Sequence, residues 1–289
     1  MSLALTVSFL WRHPLLQRHG SLRQQTAALR RYLLWQVASR LLPGPIAVPW
    51  VKGSWLMLSR GLTGVTGNWY VGLHEWPDMA FVLHLLRPQD TFADIGANVG
   101  SYTVLASAAV GASTIAFEPV PQTFQWLCRH VALNVITNRV IAHQTAVGRA
   151  EGELRFSIDR GAMNSVVRTD YLGLAQVVPV LSIDAEPGFA GACCWKLDVE
   201  GHELDVLAGA KQTLAKAAPQ AILCEDRREE VQQILREAGF QSCCYDPFSR
   251  TLSAEVASPG SNELWVRDFS WVQHRLRTAP VFQILGMSL

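Results

Sequence analysis

From about residue 90 onward, short and almost entirely apolar runs alternate with segments whose apolar residues recur at the spacing of an α-helix. The runs predict β-strands at residues 92–95, 114–117, 140–143, 194–197, 221–224, 240–245 and 264–267, and the periodic segments predict helices at 99–109, 121–134, 203–214 and 229–238. Strands that are apolar throughout are typical of a parallel sheet covered on both faces. The alternation therefore predicts a doubly wound α/β domain over residues 78–289.

An insert interrupts this alternation between residues 153 and 183. It contains two further strand candidates, at 153–157 and 177–183, around a polar loop. In open α/β sheets, ligands bind at the carboxyl ends of the strands, and the insert interrupts the chain at that rim. We therefore expect the insert to act as a lid.

Residues 1–77 have a different pattern and form a predicted N-terminal extension with a helix and a hairpin. Residues 21–42 predict the helix, on which apolar side chains keep a helical spacing: Leu22, Leu29, Leu33, Val37 and Leu41. Residues 46–51 and 55–58 predict the two strands of the hairpin. Three glycines at intervals of three then predict a loop with positive φ or a close backbone approach: Gly61, Gly64 and Gly67.

Charge is distributed unevenly, although the 289 residues carry 25 basic and 24 acidic side chains and a net charge of +1. That overall balance gives no reason to expect nucleic acid as a partner. The first 74 residues, however, contain eight basic residues, no acid and five of the ten tryptophans. This composition predicts weak peripheral association of residues 1–60 with an anionic membrane. The alternative is a cap on the α/β domain whose tryptophans belong to the core.

The six cysteines have neither metal-binding nor disulfide spacing, because they include two adjacent pairs and no C-x-x-C motif. The N-terminal apolar run at residues 3–11 is short against the roughly 20 residues that span a bilayer. It also lacks the charged start and the cleavage site of a secretory signal. We therefore expect a cytoplasmic protein with buried, reduced thiols.

The most specific local pattern is the glycine loop D-I-G-A-N-V-G at residues 94–100, between a predicted strand and a predicted helix. It lacks the lysine of a phosphate-binding P-loop and the G-x-G-x-x-G spacing of a dinucleotide site. Glu118 follows the next strand, 24 residues after Asp94, where an acid can accept hydrogen bonds from both ribose hydroxyls. These features fit a nucleoside without a pyrophosphate, such as S-adenosylmethionine (SAM). The residues predicted to bind it are Asp94, Gly96, Asn98, Gly100 and Glu118.

Two longer stretches resemble one family of enzymes. Residues 94–103, DIGANVGSYT, look like motif I of SAM-dependent methyltransferases, and together with residues 195–209, WKLDVEGHELDVLAG, they resemble the FkbM family. The resemblance covers about residues 65–267. It implies a class I methyltransferase fold, Rossmann-like, with a mostly parallel seven-stranded sheet. It also implies O-methylation of a hydroxyl on a carbohydrate, a glycoconjugate or another small-molecule natural product.

Candidate chemistry follows the fourth predicted strand. Asp198, Glu200 and His202 stand at the rim where SAM bound after the first strand would present its methyl group, so we predict them as catalytic residues. Methyl transfer to a hydroxyl needs a group that manages the hydroxyl proton. A surface or helix-capping role is the alternative for His202. The resemblance adds Ala146 to the cofactor site, and to the acceptor site it adds Tyr70, Glu75 and Asn164.

Further alternatives stay open. Adenine is expected near His143 and Gln144, after the third strand. We predict no metal, although Asp198, Glu225 and Asp226 would offer carboxylate oxygens at neighbouring strand ends. The alternative functions are an NAD-type oxidoreductase, which the missing G-x-G-x-x-G disfavours, and a catalytically silent SAM-binding protein.

Overall fold

The computed structural model describes residues 12–18, 20–158, 164–167, 170–216, 219–254 and 262–289, so the apolar run at residues 3–11 lies outside the described residues. The helices are α1 Pro14–Arg18, α2 Leu22–Leu41, α3 Thr63–Val71, α4 Trp76–Leu85, α5 Ser101–Val104, α6 Pro121–Leu133, α7 Glu203–Ala208, α8 Lys211–Leu214, α9 Glu229–Glu237 and α10 Phe269–Arg277. A π-helical stretch, Leu105–Val110, continues α5, and two 3₁₀ turns span Ile183–Ala185 and Pro187–Gly191. The strands are β1 Ile46–Pro49, β2 Trp55–Leu58, β3 Thr91–Ile95, β4 Ser113–Phe117, β5 Val140–His143, β6 Ala146–Val147, β7 Gly152–Ser157, β8 Ala175–Leu181, β9 Ala192–Leu197, β10 Ala221–Cys224, β11 Gln241–Asp246, β12 Thr251–Ser253, β13 Glu263–Val266, β14 Gln283–Ile284 and β15 Met287–Ser288.

Eight strands form one sheet in the order β12-β11-β13-β10-β9-β3-β4-β5. The strands from β10 to β5 run parallel, and β13 lies antiparallel between β10 and β11. Seven of the eight are the predicted strands, so the doubly wound α/β fold is confirmed, and the short strand β12 adds an eighth at the edge. The order of strands along the chain reverses at β3, which makes the carboxyl ends of β3 and β9 the switch point of the sheet.

Helices cover both faces of the sheet. Side chains alternate along β3, so Phe92 packs with Phe81 of α4 on one face, while Ala93 packs with Trp195 and with Val206 of α7 on the other. Strands buried on both faces need no polar alternation, which explains their apolar sequences. A ligand can therefore reach the sheet only at the ends of its strands.

Helix α2 forms where the sequence predicts it but packs through the opposite face. Ala28, Tyr32 and Trp35 are its buried residues. The predicted apolar side faces solvent, with Leu22 71% exposed and Val37 57% exposed. Aromatic side chains bury more apolar area than leucine or valine, so the two rings determine which face packs. None of the described helices, the 20-residue α2 included, is long and apolar enough to cross a membrane.

Strands β1 and β2 pair antiparallel, which confirms the predicted hairpin, and they fasten the extension to α6. Met57 N donates to His130 Nε2 at 2.9 Å. Trp55 N donates to Asn134 Oδ1 at 2.7 Å, and Asn134 Nδ2 donates back to Trp55 O at 2.9 Å. Val99 of the glycine loop belongs to the same apolar cluster as the hairpin. The extension is therefore packed directly beside that loop.

The chain between the hairpin and the sheet forms two helices that the sequence analysis missed, α3 and α4. Gly64 and Gly67 lie inside α3 rather than in the predicted loop, and of the three glycines only Gly61 has a positive φ, 89°. A Cβ on Gly67 would lie 2.5 Å from His74 Nδ1, so close packing requires this glycine. The predicted boundary between residues 77 and 78 falls inside α4.

The two strands of the insert form a three-stranded sheet with β6, which precedes the insert, in the order β6-β8-β7. Strands β7 and β8 are the two predicted strands and pair antiparallel. Residues 159–163 and 168–169 of the loop between them lie outside the described residues. A Cβ on Gly209 would overlap Gly148 O beside this sheet, and the predicted helix 203–214 is divided there into α7 and α8.

Candidate active site

The glycine loop joins β3 to α5, and both of its glycines are needed for packing. Gly96 has a φ of 79° and Gly100 a φ of 89°. A Cβ on Gly96 would overlap Asp198 O at the end of β9, and a Cβ on Gly100 would lie 2.6 Å from Leu127 Cδ1 of α6. Gly100 was predicted as a cofactor residue. Its open side faces α6, so this glycine permits the packing of the loop on that helix.

Glu118 follows β4 and ties the glycine loop to the neighbouring strand. Its Oε2 accepts from Asn98 N at 3.0 Å, and its Oε1 accepts from Val120 N at 2.9 Å. Asn98 has a positive φ of 50°, and its Oδ1 accepts from Val99 N at 2.8 Å. Burial raises the pKa of Glu118 to about 7. Glu118 therefore shapes the loop through both of its oxygens.

A small cavity of about 50 Å³ opens between the glycine loop, β6 and the segment after β9. Four of the six predicted cofactor residues line this small cavity: Gly96, Asn98, Glu118 and Ala146. The predicted neighbours of adenine do not line it. His143 stacks on Phe117, with ring centroids 4.8 Å apart, and Thr145 lies at the cavity wall two positions further along.

Asp94 lies beneath the loop rather than at the wall of the small cavity. It is 1% exposed, and Thr103 Oγ1 of α5 donates to its Oδ2 at 2.6 Å. Its Oδ1 is buried with no hydrogen-bond partner among the described residues. Burial raises the pKa of this carboxyl. In this structure Asp94 makes a positioning contact with α5, and its contact with the cofactor stays a prediction.

A large cavity of about 450 Å³ adjoins the small one. Six residues are common to both walls: Gly96, Asn98, Thr123, Asn164, Asp198 and Glu200. The large cavity lies between α3, the glycine loop and the ends of β9 and β10. Its polar floor consists of Glu75, Tyr102, Lys196, Asp198 and Glu225.

A buried lysine organises this floor. Lys196 Nζ donates to Asp198 Oδ2 at 2.6 Å and lies 5.0 Å from the centroid of the Tyr102 ring. Tyr102 Oη donates to Glu75 Oε2 at 2.7 Å. Glu225, which follows β10, forms a side-chain hydrogen bond with Asp198. These groups meet because β9 lies between β3 and β10 in the sheet.

The charges of the floor follow from burial and from Lys196. Burial disfavours the ionised form of Asp198, but the Lys196 ammonium and hydrogen bonds from Glu225 and Lys196 hold the pKa of Asp198 below its usual value. Burial and the adjacent Asp198 raise the pKa of Glu225 to about 8. Burial opposes the charge of Lys196, but Asp198, Glu75 and Asp94 keep the pKa of Lys196 above its usual value. At neutral pH, Asp198 and Lys196 are therefore ionised and Glu225 is protonated.

The other predicted site residues lie in different places. Glu200, with a φ of 53°, and Asn164 line both cavities. Of these two cavities His202 lines only the small one, where its Nδ1 lies 3.4 Å from Asp205 Oδ2 and burial lowers its pKa. Tyr70 reaches neither and faces a third cavity. His202 and Tyr70 are therefore not brought to the polar floor, whereas Asp198 and Glu75 are.

The segment that carries both cavities coincides with a known domain. The profile of the methyltransferase FkbM domain matches residues 94–242, from the start of the glycine loop to the second residue of β11. That match spans just over half of the chain. The chain belongs to the FkbM methyltransferase family.

This FkbM methyltransferase is similar to curated proteins and to solved structures. It is 30% identical over 136 residues to the hexuronic acid methyltransferase AglP of Haloferax volcanii, covering 46% of this chain and 55% of that protein. It is 28% identical over 194 residues to the 31-O-demethyl-FK506 methyltransferase FkbM of Streptomyces tacrolimicus, covering 54% of this chain and 74% of that protein. A solved methyltransferase FkbM from Methylobacillus flagellatus is 17% identical with a TM-score of 0.45, covering 86% of this chain and 63% of that one. The chain spans 55% to 59% of the length of the two curated relatives that it matches at 30% identity.

Lys196 is the residue of this FkbM methyltransferase that the sequence analysis missed. The available signal was a lysine within the otherwise apolar strand β9, because lysines are almost never fully buried unless they are paired. Tyr102 lies within the predicted helix 99–109, and no role was assigned to it. Its hydroxyl bond to Glu75 depends on the placement of α4, which was not predicted.

Three carboxyl groups of the methyltransferase lie close together. Asp198, Glu200 and Glu225 each offer an oxygen within 4.8 Å of the others. Asp226, which was considered as a ligand, instead accepts from Arg228 Nε at 2.6 Å. Metal ligands must be deprotonated, whereas Glu225 carries a proton and Asp198 already pairs with Lys196. A cation bound at these three oxygens would therefore displace the Glu225 proton and compete with Lys196 for Asp198.

Proposed function

We propose that this FkbM methyltransferase transfers a methyl group from SAM to a hydroxyl oxygen of a carbohydrate, a glycoconjugate or another small-molecule acceptor. The observation that carries the proposal is the position of Asp198, an ionised carboxylate at the junction of the two cavities. The names of two relatives, a hexuronic acid methyltransferase and a 31-O-demethyl-FK506 methyltransferase, support hydroxyl-bearing acceptors.

The residues that line the small cavity offer groups that suit the ribose and adenine of SAM, and at about 50 Å³ the cavity is smaller than the whole cofactor. Glu118 offers carboxylate oxygens to which ribose hydroxyls donate, and Phe117 and Val147 provide apolar wall for a purine. Gly96 lines the same cavity, and its close packing against Asp198 O fixes the position of the loop there. When bound, SAM supplies an electrophilic methyl group.

Asp198 is assigned to the proton of the acceptor hydroxyl. As the hydroxyl oxygen forms its new bond to carbon, the O–H proton becomes acidic, so a carboxylate of low pKa is a sufficient base. Lys196 holds the Asp198 carboxylate in place and in its charged form before that proton arrives. Glu225 steadies the same carboxylate through the hydrogen bond between the two side chains.

Glu75 and Asn164 are assigned to the positioning of the acceptor. Both line the large cavity, and Glu75 is held by Tyr102 Oη. A sugar hydroxyl can donate to a carboxylate oxygen and can both donate to and accept from an amide. Holding the reacting hydroxyl in line with the donor removes a large part of the entropic barrier.

Radiolabelled SAM tests the proposed function with a panel of glycans and hydroxylated small molecules. We expect transfer of label to a hydroxyl by the wild type, and loss of turnover in Asp198→Asn with unchanged SAM affinity in calorimetry. SAM binding without transfer to any acceptor would indicate a silent SAM-binding protein. Binding of a nicotinamide cofactor in place of SAM would indicate an oxidoreductase and overturn the proposal.

A further inference from the structure

A third cavity of about 630 Å³ lies between α2 and α3, and we call it the outer cavity. Three aromatic residues and two arginines contribute to its wall: Tyr32, Trp35, Tyr70, Arg40 and Arg60. None of its fourteen lining residues is acidic. Five of them also line the large cavity: Arg60, Gly61, Leu62, Thr63 and His74. The outer and large cavities are therefore adjoining compartments.

Arg60 stands at the junction of these compartments. It is exposed, and within the part of the chain that the structure describes it makes no ion pair. Arg40, at the other end of the wall, donates to Gln36 Oε1 at 3.1 Å on its own helix. Two arginines without an acidic partner in the wall give the outer cavity a positive potential that favours an anion.

We infer that the outer cavity is a second acceptor subsite, which binds an anionic unit of an extended sugar acceptor; this inference rests on the proposed function. Arginine binds carboxylate and phosphate groups through paired hydrogen bonds. Tyr32, Trp35 and Tyr70 reach the wall only with the small exposed parts of otherwise buried rings, so recognition in this cavity depends on the two arginines. The ligand chemistry is therefore a carboxylate or a phosphate attached to a sugar.

The dimensions of the compartments agree with an acceptor longer than one sugar. The large cavity and the outer cavity both fall within the range of about 300–1,000 Å³ that holds a complete small ligand. An acceptor with its reacting hydroxyl at Asp198 continues past Arg60 into the outer cavity. The subsite thereby accounts for Tyr70, which lines the outer cavity instead of the polar floor.

Two variants test the subsite in the full chain. Arg60→Gln removes the charge at the junction, and Ser39→Trp fills the outer cavity from α2. Arg23→Gln, on the exposed side of α2, and Ser39→Ala are the matched controls. The probes are glucuronic acid, a disaccharide that ends in glucuronic acid, the same disaccharide with a phosphate in place of the carboxylate, and the neutral disaccharide.

Calorimetry and labelled-SAM kinetics are measured for each protein and probe. We expect Arg60→Gln to weaken binding of the anionic disaccharides about tenfold or more, the scale of hydrogen bonds to a charged group, and to raise KM with little change in kcat. Ser39→Trp should weaken every disaccharide but not the monosaccharide. Preference for the carboxylate or the phosphate probe identifies which anion is bound.

The outcomes separate the subsite from the proposed function. Binding of an anionic disaccharide that depends on Arg60, without methyl transfer, supports the subsite and overturns the function. Methyl transfer that is equal in Arg60→Gln and the wild type overturns the subsite alone. A failure of both anionic disaccharides to bind also overturns it.

A separate observation concerns the outward face of α2, which carries exposed aliphatic side chains. Leu22, Leu33, Leu34, Val37 and Leu41 are each at least half exposed, Leu41 by 74%. Arg23 and Arg30 are exposed on the same side, opposite Tyr32 and Trp35. The face belongs to the stretch before Glu75, which contains no acidic residue.

We propose that this face of α2 binds an anionic lipid surface. Aliphatic residues enter the boundary between headgroups and acyl chains, while arginines contact the anionic headgroups. Each basic residue near such a surface contributes about 1 kcal/mol of attraction. A run of 74 residues without an acid complements a uniformly negative surface better than it complements a protein of mixed charge.

Flotation with phosphatidylcholine vesicles, with and without 30% phosphatidylglycerol, tests the proposal. We expect retention on the anionic vesicles that is lost at high salt and falls at least fivefold in Leu33→Ser/Val37→Ser. Leu172→Ser, an exposed leucine elsewhere, is the matched control. Equal retention on both vesicles, or none, contradicts the proposal. A dimer in light scattering that Leu33→Ser/Val37→Ser dissociates would assign the face to a second copy of the chain.

Discussion

Lys196 Nζ and Asp198 Oδ2 lie 2.6 Å apart at the carboxyl end of β9, on residues separated by one position. Alternate residues of a strand share a face, so this ion pair forms without help from a second element. Lys196 is 3% exposed, whereas Asp198 borders both cavities. A residue of its own strand therefore makes the main contribution to the charge and orientation of the proposed base, and Glu225 after β10 adds a hydrogen bond.

Replacement of Lys196 by Met removes this cation and keeps an unbranched side chain. We expect the pKa of Asp198 to rise, because burial then acts with less opposition, and the acid limb of the pH–rate profile to move to higher pH. Removal of one partner from a buried pair also lowers the free energy of unfolding by about 3–5 kcal/mol. Urea unfolding measures this loss. The double variant Lys196→Met/Asp198→Asn should regain most of the lost free energy of unfolding, because no buried charge is then unpaired. An equal loss of stability in the single and the double variant would contradict the pairing.

Glu225→Gln tests the protonated state of Glu225. The pKa of Glu225 is about 8, so near pH 7 Gln resembles the native side chain and kcat should change little. Above pH 8 the wild type places a second negative charge beside Asp198, and its activity should fall. That alkaline limb should disappear in Glu225→Gln. For comparison, Asp198→Asn should lower kcat by about 10²–10⁴-fold with SAM affinity retained. An unchanged alkaline limb in Glu225→Gln would assign it to another group.

Glycine substitutions separate backbone strain from steric overlap in the loop. Gly96→Ala and Gly100→Ala should both unfold at lower temperature in the absence of SAM, since each added Cβ meets Asp198 O or Leu127 Cδ1. Gly111→Ala is the control, with a φ of 95° and no atom nearer than 3.8 Å to the added Cβ. The free energy of unfolding of Gly111→Ala should fall only by the cost of the strained φ, about 1–2 kcal/mol. Equal losses at all three positions would show that φ alone requires glycine.

Glu118→Ala should weaken SAM binding by about 1.5–3 kcal/mol, or roughly 10–150-fold, because ribose hydroxyls lose a charged acceptor. The change also leaves Asn98 N and Val120 N without their acceptor, so the loop loses its connection to β4. Calorimetry with SAM measures the affinity. Glu118→Gln retains one acceptor oxygen and should lose less. An unchanged SAM affinity in both variants would remove Glu118 from the donor site.

Stability should depend on pH through Asp78. Asn262 N and Nδ2 donate to Asp78 Oδ2 at 3.1 and 2.9 Å, and burial raises the pKa of Asp78 to about 7. An acid with a raised pKa in the folded state stabilises the protein at low pH, and this contribution is lost as pH rises from about 4 to about 7. The free energy of unfolding should fall over this interval, and Asp78→Asn should flatten the fall. Urea unfolding at several pH values measures this dependence. If the free energy of unfolding of Asp78→Asn falls with pH as steeply as that of the wild type, Asp78 is not its cause.

The sheet was predictable because its strands are buried on both faces. Strand β10 spans Ala221–Cys224 as predicted, since an apolar run between polar segments has few other stable positions. Glu118 and Asp198 were placed correctly at cavity walls because they directly follow strands. The apolar pattern predicts where each strand ends, and the sheet then fixes the position of the residue that follows.

Positions set by packing between elements were not predictable. The leucine spacing of α2 fits a buried face, but Tyr32 and Trp35 on the other side decide its orientation. The glycine at position 67 indicated a loop, whereas it permits a helix to pack against His74. Tyr70 was predicted at the acceptor site, whereas it lines the outer cavity, because the side of α3 that faces each cavity depends on where α2 lies.

The main chain of Asp198 has a consequence of its own. Asp198 N donates to Ile95 O at 3.1 Å, and Asp198 O fills the space beside Gly96. The distance between the loop after β3 and the segment after β9 is therefore set by contacts between main-chain atoms. Substitution of side chains leaves these contacts in place. Evolution within this scaffold is free to change which acceptor is held and how its proton is handled, while the span between the two reacting partners stays constant.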